Sequence, residues 1–352
     1  MWAGFAGYLV ALALAPRLDR RLLWGGLTAL LVLFACLPPL LSHDVYSYVD
    51  YARLAVRHGL DPYVHAPASA AADPAFPHVT WTETTSAYGP LFTLATYPLA
   101  WMPVGAAAYI IKAASAGAIL AIASLVARLA PARGIDPRRA AAFVGLNPLV
   151  LVHVVGGPHN DGLAVLLMTL GLAGILTARE RLGAVALVSA TATKATAAIA
   201  IPFALLGSTR RARFLLGGFA TLALVALVAY LAFGWNWLHA FTLAGENQGR
   251  TSHMSIPITT ARLTGMDPDL VRATFLVLYA ALVIHLLVWT SRGNDWLHAT
   301  AWATTGLLLA TSWLLPWYLL WPLPAAALSR DRLLLLLLLG LTAYQLGARI
   351  PL

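Results

Sequence analysis

The sequence predicts an all-α polytopic membrane protein, a multi-helix bundle of about 11–13 transmembrane segments with a long first extracytoplasmic loop that carries a juxtamembrane helix. Composition is the first observation behind this: 60% of the 352 residues are hydrophobic, 11% are charged, and the mean hydropathy is +0.76. The second is that Leu22 to Ser42, Gly162 to Ala178, Phe214 to Gly245 and Trp296 to Ser329 contain no Asp, Glu, Lys or Arg. Such stretches match or exceed the roughly 17–25 apolar residues that span a bilayer. The third is that the net charge of +9 sits in short arginine clusters between apolar segments. That distribution marks cytoplasmic loops and argues against a nucleic-acid partner. The single Cys36 excludes an intrachain disulfide.

Taken in order, Trp2 to Ala15 has no basic residue ahead of it and reads as a retained helix, with Leu22 to Ser42 as the next span. The loop 42–88 is too long to be a mere connector. Within it Tyr48, Tyr51 and Ala55 recur at helical spacing, with Arg53, Arg57 and His58 as a polar side. Val45 to His58 is therefore expected as an amphipathic helix lying on the membrane. Pro62, Pro67, Pro74 and Pro77 predict an irregular course after it. Between Pro90 and Arg133 the chain must cross an odd number of times, yet Pro98, Pro103 and Lys112 cut it into two pieces, so one piece is re-entrant or the Arg133 loop breaks the charge rule.

Arg17/Arg20/Arg21, Arg133/Arg138/Arg139, Arg179/Arg181, Arg210/Arg211/Arg213, Arg292 and Arg330/Arg332 are assigned to the cytoplasm. Between Arg181 and Arg210 this requires a hairpin of two short helices with Lys194 near its outer tip, and between Arg292 and Arg330 an outer turn at Leu315 to Tyr318. The outer segments are then 42–88, Gly156 to Gly162 and the second large loop, 235–270, all within one domain spanning 1–352. The run Leu333 to Leu339 is a further membrane helix.

The chemistry-bearing residues all fall on that outer side. Asp44 directly follows an uncharged helix, where an ionised group is costly without a partner or a task. It either caps the next helix or serves as a general base for an acceptor hydroxyl. Glu83 is the second outer carboxylate, a solvated loop acid or an alternative base. Asp161, with His159 and Asn160, starts a helix after Gly156-Gly157-Pro158, where it caps that helix or binds sugar hydroxyls. The spacing is not that of a zinc site, so no structural metal is expected, although a divalent cation such as Mg or Mn is compatible with the outer carboxylates.

Of 23 basic residues only Lys112 and Lys194 are lysines. Lys194, a compact charge at an outer tip, is assigned with Arg250 to a leaving phosphate, or else it snorkels from a helix end. Snorkelling is the expectation for Lys112. Arg250, within Gly245 to His253, lies outside against the charge trend, either because it pairs with a phosphate or as a plain solvated loop arginine. Trp313, Trp317, Tyr318 and Trp321 surround Pro316, as an interfacial aromatic belt or a platform for a sugar or isoprenoid.

Ser42-His-Asp-Val-Tyr-Ser-Tyr48, Gly59-Leu-Asp-Pro-Tyr63, Trp81, Ser86-Ala-Tyr-Gly-Pro-Leu91, Asn147-Pro-Leu149, His159-Asn-Asp161, Lys194-Ala-Thr196 and Ser312-Trp-Leu-Leu-Pro-Trp-Tyr318 occur in order. Together they resemble the actinobacterial polyprenol-phosphate-mannose-dependent α-mannosyltransferases of the α-1,6 type, from Ser42 onward. The resemblance implies a GT-C glycosyltransferase architecture and an active site on the extracytoplasmic face of the cell membrane. It also implies a catalytic acid at the end of an early helix, here Asp44. The donor implied is a polyprenyl-phosphate-linked mannose, and the reaction an inverting transfer to a glycan or glycolipid acceptor. His43, Tyr48, Tyr88, His159, Asn160, Asp161, Trp317 and Tyr318 are expected to contact the sugars. Members of that family are commonly longer, which implies a chain shortened mainly near its amino end.

Three alternatives compete. A GT-C transferase could use polyprenyl-phosphate arabinose or glucose, since a few pocket contacts decide the donor. A transporter or flippase would carry its polar groups at mid-membrane in paired repeats, unlike the one-sided pattern here. A non-catalytic envelope scaffold would need no acid, hydroxyl-binding loop and outer cations facing one cavity.

Overall fold

The computed structural model describes residues 2–348, apart from the side chains of Ala244, Asn247, Gln248 and Ala348. It contains helices and no strand among the described residues. The first helices are α1 (Trp2–Leu14), α2 (Arg20–Cys36) and α3 (Asp44–His58). After the irregular stretch come α4 (Pro90–Thr96), α5 (Val104–Leu129), α6 (Pro137–Gly145) and α7 (Asp161–Leu176). Next are α8 (Glu180–Thr193), α9 (Ala200–Gly207), α10 (Arg211–Phe233), α11 (His239–Gly249) and α12 (Ile256–Thr264). The last are α13 (Pro268–Ser291), α14 (Trp296–Ala310), α15 (Leu323–Ala327) and α16 (Arg332–Ala348).

The boundaries follow local chemistry. Asp19, Asp136, Ser255, Asp267 and Asp295 accept hydrogen bonds from the first free N–H groups of α2, α6, α12, α13 and α14. Pro137 and Pro268 occupy first-turn positions where no N–H is needed. Pro38 and Pro39 cannot continue α2. Gly59, at φ +66°, ends α3 in the left-handed conformation that glycine adopts without cost.

The odd crossing between Pro90 and Arg133 resolves in favour of one span. α4 and the turn Tyr97–Trp101 are 7 and 5 residues long, whereas α5 has 26, about 39 Å at 1.5 Å per residue. The expected number of spans, however, does not appear as that many long helices. Among the described residues three helices, α5, α10 and α13, are each long and apolar enough to cross a bilayer, and α6 with Val150–Gly156 makes a fourth if the pair, bent by 59°, is one span. The bend falls at Pro148, which lacks the N–H the helix would use. α1, α2, α7, α8, α14 and α16 have 13 to 17 residues. Many are interrupted where polar groups gather, at Lys194 and Pro316 for example, so that passes end in short turns such as Ala195–Ile199 and Pro316–Leu320.

The second large outer segment, 235–270, is built mostly of α11 and α12. α3 is helical as predicted, and one face of it packs within the protein. Val45, Tyr48, Val49, Tyr51, Ala52 and Leu54 are buried within the protein, and so is Arg53, whose Nε donates to Asp73 at 2.7 Å. An apolar face that large gains more from packing against α4 and α5 than from an interface, and Asp73 removes the cost of the buried guanidinium.

The bundle has two chemically distinct ends. At one, Arg138 donates to the Leu18 carbonyl at 2.9 Å, Arg330 to the Arg133 carbonyl at 2.8 Å, and Thr209 to Glu180 at 2.8 Å, while Arg133 pairs with Asp295. These contacts gather the arginine-bearing loops together. Helix α7, 16 residues or about 24 Å long, leads from Asp161 at the opposite end down to this one, and α8 returns to Lys194. The pair packs closely through glycines: a Cβ on Gly174 would stand 2.6 Å from the Cα of Gly183.

Candidate active site

At the end opposite the clustered Arg133, Arg138 and Arg330, a cavity of about 240 Å³ is walled by α3, the 81–88 segment, the residues before α7, the Lys194 elbow, Arg250 and the turn at Pro316. Each wall is placed by a local break in helix. Asp44 occupies the first turn of α3, its N–H bound to Ser42 Oγ at 3.2 Å. A carboxylate there is favoured by the helix dipole. Its oxygens are not spent on capping. Oδ1 accepts from Trp81 Nε1 at 3.3 Å and Oδ2 lies 3.4 Å from His159 Nδ1, with the side chain 20% exposed towards the cavity. Burial acts to raise the Asp44 carboxyl. His159, through hydrogen bonding and charge, together with Trp81 and Lys194, outweighs it and holds the group below its ordinary value.

His159 is held by a parallel stack on Trp317, 3.5 Å between ring centroids. The next residue, Asn160, donates its N–H to Tyr48 Oη at 3.3 Å. Burial first, then the charges of Asp44 and Asp161, keep the Tyr48 phenol neutral by pushing it well above its usual value. Of the two readings open for Asp161, the helix cap is not the one realised. Its carboxylate is fully buried and takes Lys194 Nζ at 2.7 Å on one oxygen and Trp321 Nε1 at 2.5 Å on the other. Lys194 can make this pair because it sits in extended conformation (φ −152°, ψ 119°) between α8 and Ala195–Ile199. It also lies 5.2 Å from the centre of the Tyr318 ring.

Arg250 closes the outer side, its guanidinium 4.9 Å from the centre of the Trp81 ring and 5.8 Å from that of Trp313. The cavity therefore offers one accessible carboxylate, two cations on its rim and aromatic walls including Tyr48, Tyr88, Trp317 and Tyr318. Those are the parts needed to take a proton, balance an anion and hold a sugar face.

Among the expected residues, Asp44, Tyr48, Tyr88, His159, Asn160, Lys194, Arg250, Trp317 and Tyr318 line the cavity, and Asp161 stands directly behind Lys194. Glu83 and His43 do not line it. Both are exposed on the surface, and His43 packs edge-on against Tyr46. Trp81 and Trp321 carry more of the site than expected, since their indole N–H groups bind the two carboxylates. The signal available for them in the sequence is their place in outer segments already rich in motif residues. Lys112 corrects another expectation. It does not snorkel but is 0% exposed, donating to the Gly156 carbonyl at 2.6 Å. No cluster of three or more His, Cys, Asp or Glu side chains suited to a metal occurs among the described residues.

Comparison with known proteins points in one direction. An alpha-(1->6)-mannopyranosyltransferase A of Mycobacterium tuberculosis is 31% identical over 341 residues, covering 87% of this chain and 65% of the relative. One of the same name from Corynebacterium glutamicum is 33% identical over 196 residues, 54% of this chain and 39% of the relative. The chain thus spans 65% or less of the length of these relatives. No solved structure matches it significantly. The family model described as alpha-(1->6)-mannopyranosyltransferase, N-terminal domain, matches residues 1–210. Spanning more than half of the 352 residues, that match shows that the chain belongs to the alpha-(1->6)-mannopyranosyltransferase family.

Proposed function

We propose that this protein transfers mannose from a polyprenyl-phosphate-linked donor to a glycan or glycolipid acceptor, with inversion, forming an α-(1→6) linkage. The reaction takes place on the extracytoplasmic face of the plasma membrane. The observation that carries this reading is Asp44, a carboxylate kept ionised at the wall of an aromatic cavity, at the end of the bundle remote from the arginine loops. The relatives' names supply the sugar and the linkage. The arginine loops supply the orientation.

In the reaction, Asp44 accepts the proton of the acceptor hydroxyl as its oxygen bonds to the anomeric carbon. The bond from that carbon to the phosphate oxygen breaks on the opposite face, and the electron pair leaves with the polyprenyl phosphate. One base suffices for this single displacement, which turns a β-linked donor into an α-mannoside. Lys194 and Arg250 balance the departing charge, while Trp317 and Tyr318 offer the sugar its ring faces. A divalent cation fits this donor set poorly. Asp161 is already occupied by Lys194 and Trp321, and Asp44 is held by His159 and Trp81, so no step is routed through a metal.

The test is transfer by the purified protein in lipid nanodiscs, offered polyprenyl-phosphate mannose and an α-mannoside acceptor, with product linkage read by NMR. The expected product is α-(1→6)-linked. Asp44→Asn should lower turnover by about 10²–10⁴-fold while donor binding persists. Transfer of arabinose or glucose in preference to mannose would overturn the donor, and near-normal turnover by Asp44→Asn would overturn the base.

A further inference from the structure

Lys112 lies in the third turn of α5, wholly buried, and takes no part in the chemistry described above. Its amine donates to two main-chain oxygens, Gly156 O at 2.6 Å and Pro38 O at 3.4 Å. Placing an amine there costs desolvation that an aliphatic side chain would avoid. What the lysine alone supplies is a donor that reaches both carbonyls.

Those carbonyls belong to the two segments that deliver Asp44 and its partner His159. Pro38 opens the connector leading to Ser42 and Asp44, and Gly156 ends the π-helical turn leading to His159. The segments touch at the same place. Leu40 N–H donates to Gly156 O at 2.9 Å, and a Cβ on Gly157 would stand 2.3 Å from Leu40 O. The lysine amine and the Leu40 amide thus converge on one carbonyl and fasten the connector to the turn. From there His159 is three residues away, at most about 10 Å of chain. With so short a tether, a shift at the junction passes directly into the 3.4 Å separation of His159 Nδ1 and Asp44 Oδ2.

We propose that Lys112 is a positioning residue: by pinning Pro38 and Gly156 together it sets the distance between Asp44 and His159, and so the readiness of Asp44 to take a proton. This rests on the assignment of Asp44 as base. The consequence has a sign. Burial opposes ionisation of Asp44 and the His159 contact is the largest influence against it, so loosening the junction leaves Asp44 harder to ionise and moves the acid limb of the activity profile to higher pH.

The experiment compares wild type with Lys112→Met, which keeps the bulk and removes the donor, and with Gly157→Ala, which forces the connector off the turn without touching Lys112. Two readouts are taken: the pH profile of mannosyl transfer, and the pH midpoint of carbodiimide labelling of Asp44 by mass spectrometry, which needs no turnover. In both variants kcat should fall about 10-fold or more, with KM for polyprenyl-phosphate mannose within about 2-fold. The acid limb and the labelling midpoint should rise together. Lys112→Gln, which keeps a neutral NH2 donor, should fall between Lys112→Met and wild type.

A fall in kcat with both pH readouts unchanged would overturn the proposal, as would an effect on KM alone or failure of all variants to fold, which would make Lys112 a folding residue only. If wild type transfers no sugar and the labelling midpoint still rises in the variants, the functional assignment fails and the positioning role stands.

Discussion

Replacing Lys194 by Met separates two duties that the structure assigns to one amine. Lys194 Nζ lies 2.7 Å from a carboxylate oxygen of Asp161, which is 0% exposed, while Lys194 retains 20% exposure. Removing the lysine strands a buried charge with only the Trp321 N–H for compensation. Breaking a buried pair from one side costs about 3–5 kcal/mol, and the residual exposure of Lys194 places this case near about 3 kcal/mol. At about 2–4 °C per kcal/mol the melting temperature should drop by roughly 6–12 °C. Loss of a charge-assisted contact to the donor phosphate, about 1.5–3 kcal/mol, should weaken donor affinity roughly 10- to 150-fold.

A double variant, Lys194→Met with Asp161→Asn, distinguishes the two effects. The asparagine side chain is neutral and its amide oxygen still accepts from Trp321, so thermal stability should largely return, while donor affinity should stay as weak as in the single variant. Scanning fluorimetry and equilibrium binding of polyprenyl-phosphate mannose, on detergent-purified protein, read the two quantities. Recovery of donor affinity in the double variant would refute the phosphate role, leaving Lys194 as the neutraliser of Asp161. A melting temperature unmoved in Lys194→Met would refute the buried pair itself.

Asp50, 1% exposed with its Oδ2 lacking a hydrogen-bond partner, is pushed up to about 7, by burial first and then by Asp73, against His58 and Arg53. Its protonated form is favoured in the folded state, so its contribution to stability is fullest at acid pH and is lost as pH rises from about 4 towards 7. Asp50→Asn should therefore raise the melting temperature most at pH 8, where the gain is at most roughly 4 kcal/mol, by less than half as much at pH 5, and little below about pH 4; equal effects at pH 8 and pH 5 would contradict it. Gly89→Ala would place a Cβ 2.1 Å from the Ala192 carbonyl oxygen, beside the Gly89 N–H bond to Thr193 O at 3.2 Å. The backbone must shift, at a cost of about 1–3 kcal/mol, and turnover should fall with it because Lys194 follows directly; a variant as stable and active as wild type would remove the close contact.

Much of the site was legible because a membrane chain has few places for polar residues. With 14 acidic residues in 352, an acid after an apolar helix stands out, and arginine clusters assign the loops to one end or the other. On that basis Asp44, His159, Lys194 and Arg250 were expected together, and they line one cavity. The same reasoning left Glu83 open between a solvated acid and a base, because nothing in a loop acid's neighbours reports whether it turns inward, and the structure leaves it exposed. Lys112 failed it because a lysine in an apolar run reads alike whether it reaches the interface or a buried carbonyl.

Hydropathy and charge order by themselves determined that the chain is helical, that its helices run between two chemically unlike ends, and that Asp44, Asp161 and Lys194 meet at one of them. These properties depend on local periodicity and on the cost of charge in lipid, both of which are written residue by residue. Only the tertiary structure decided that α3 packs inside the protein, that Asp161 is consumed by Lys194 and Trp321 while Asp44 stays open, and that Lys112 fastens Pro38 to Gly156. Those outcomes depend on contacts between segments far apart in the chain, such as the pairs Asp161–Lys194 (|i−j| = 33) and Asp161–Trp321 (|i−j| = 160), where competing partners differ by a few ångströms that no local pattern encodes.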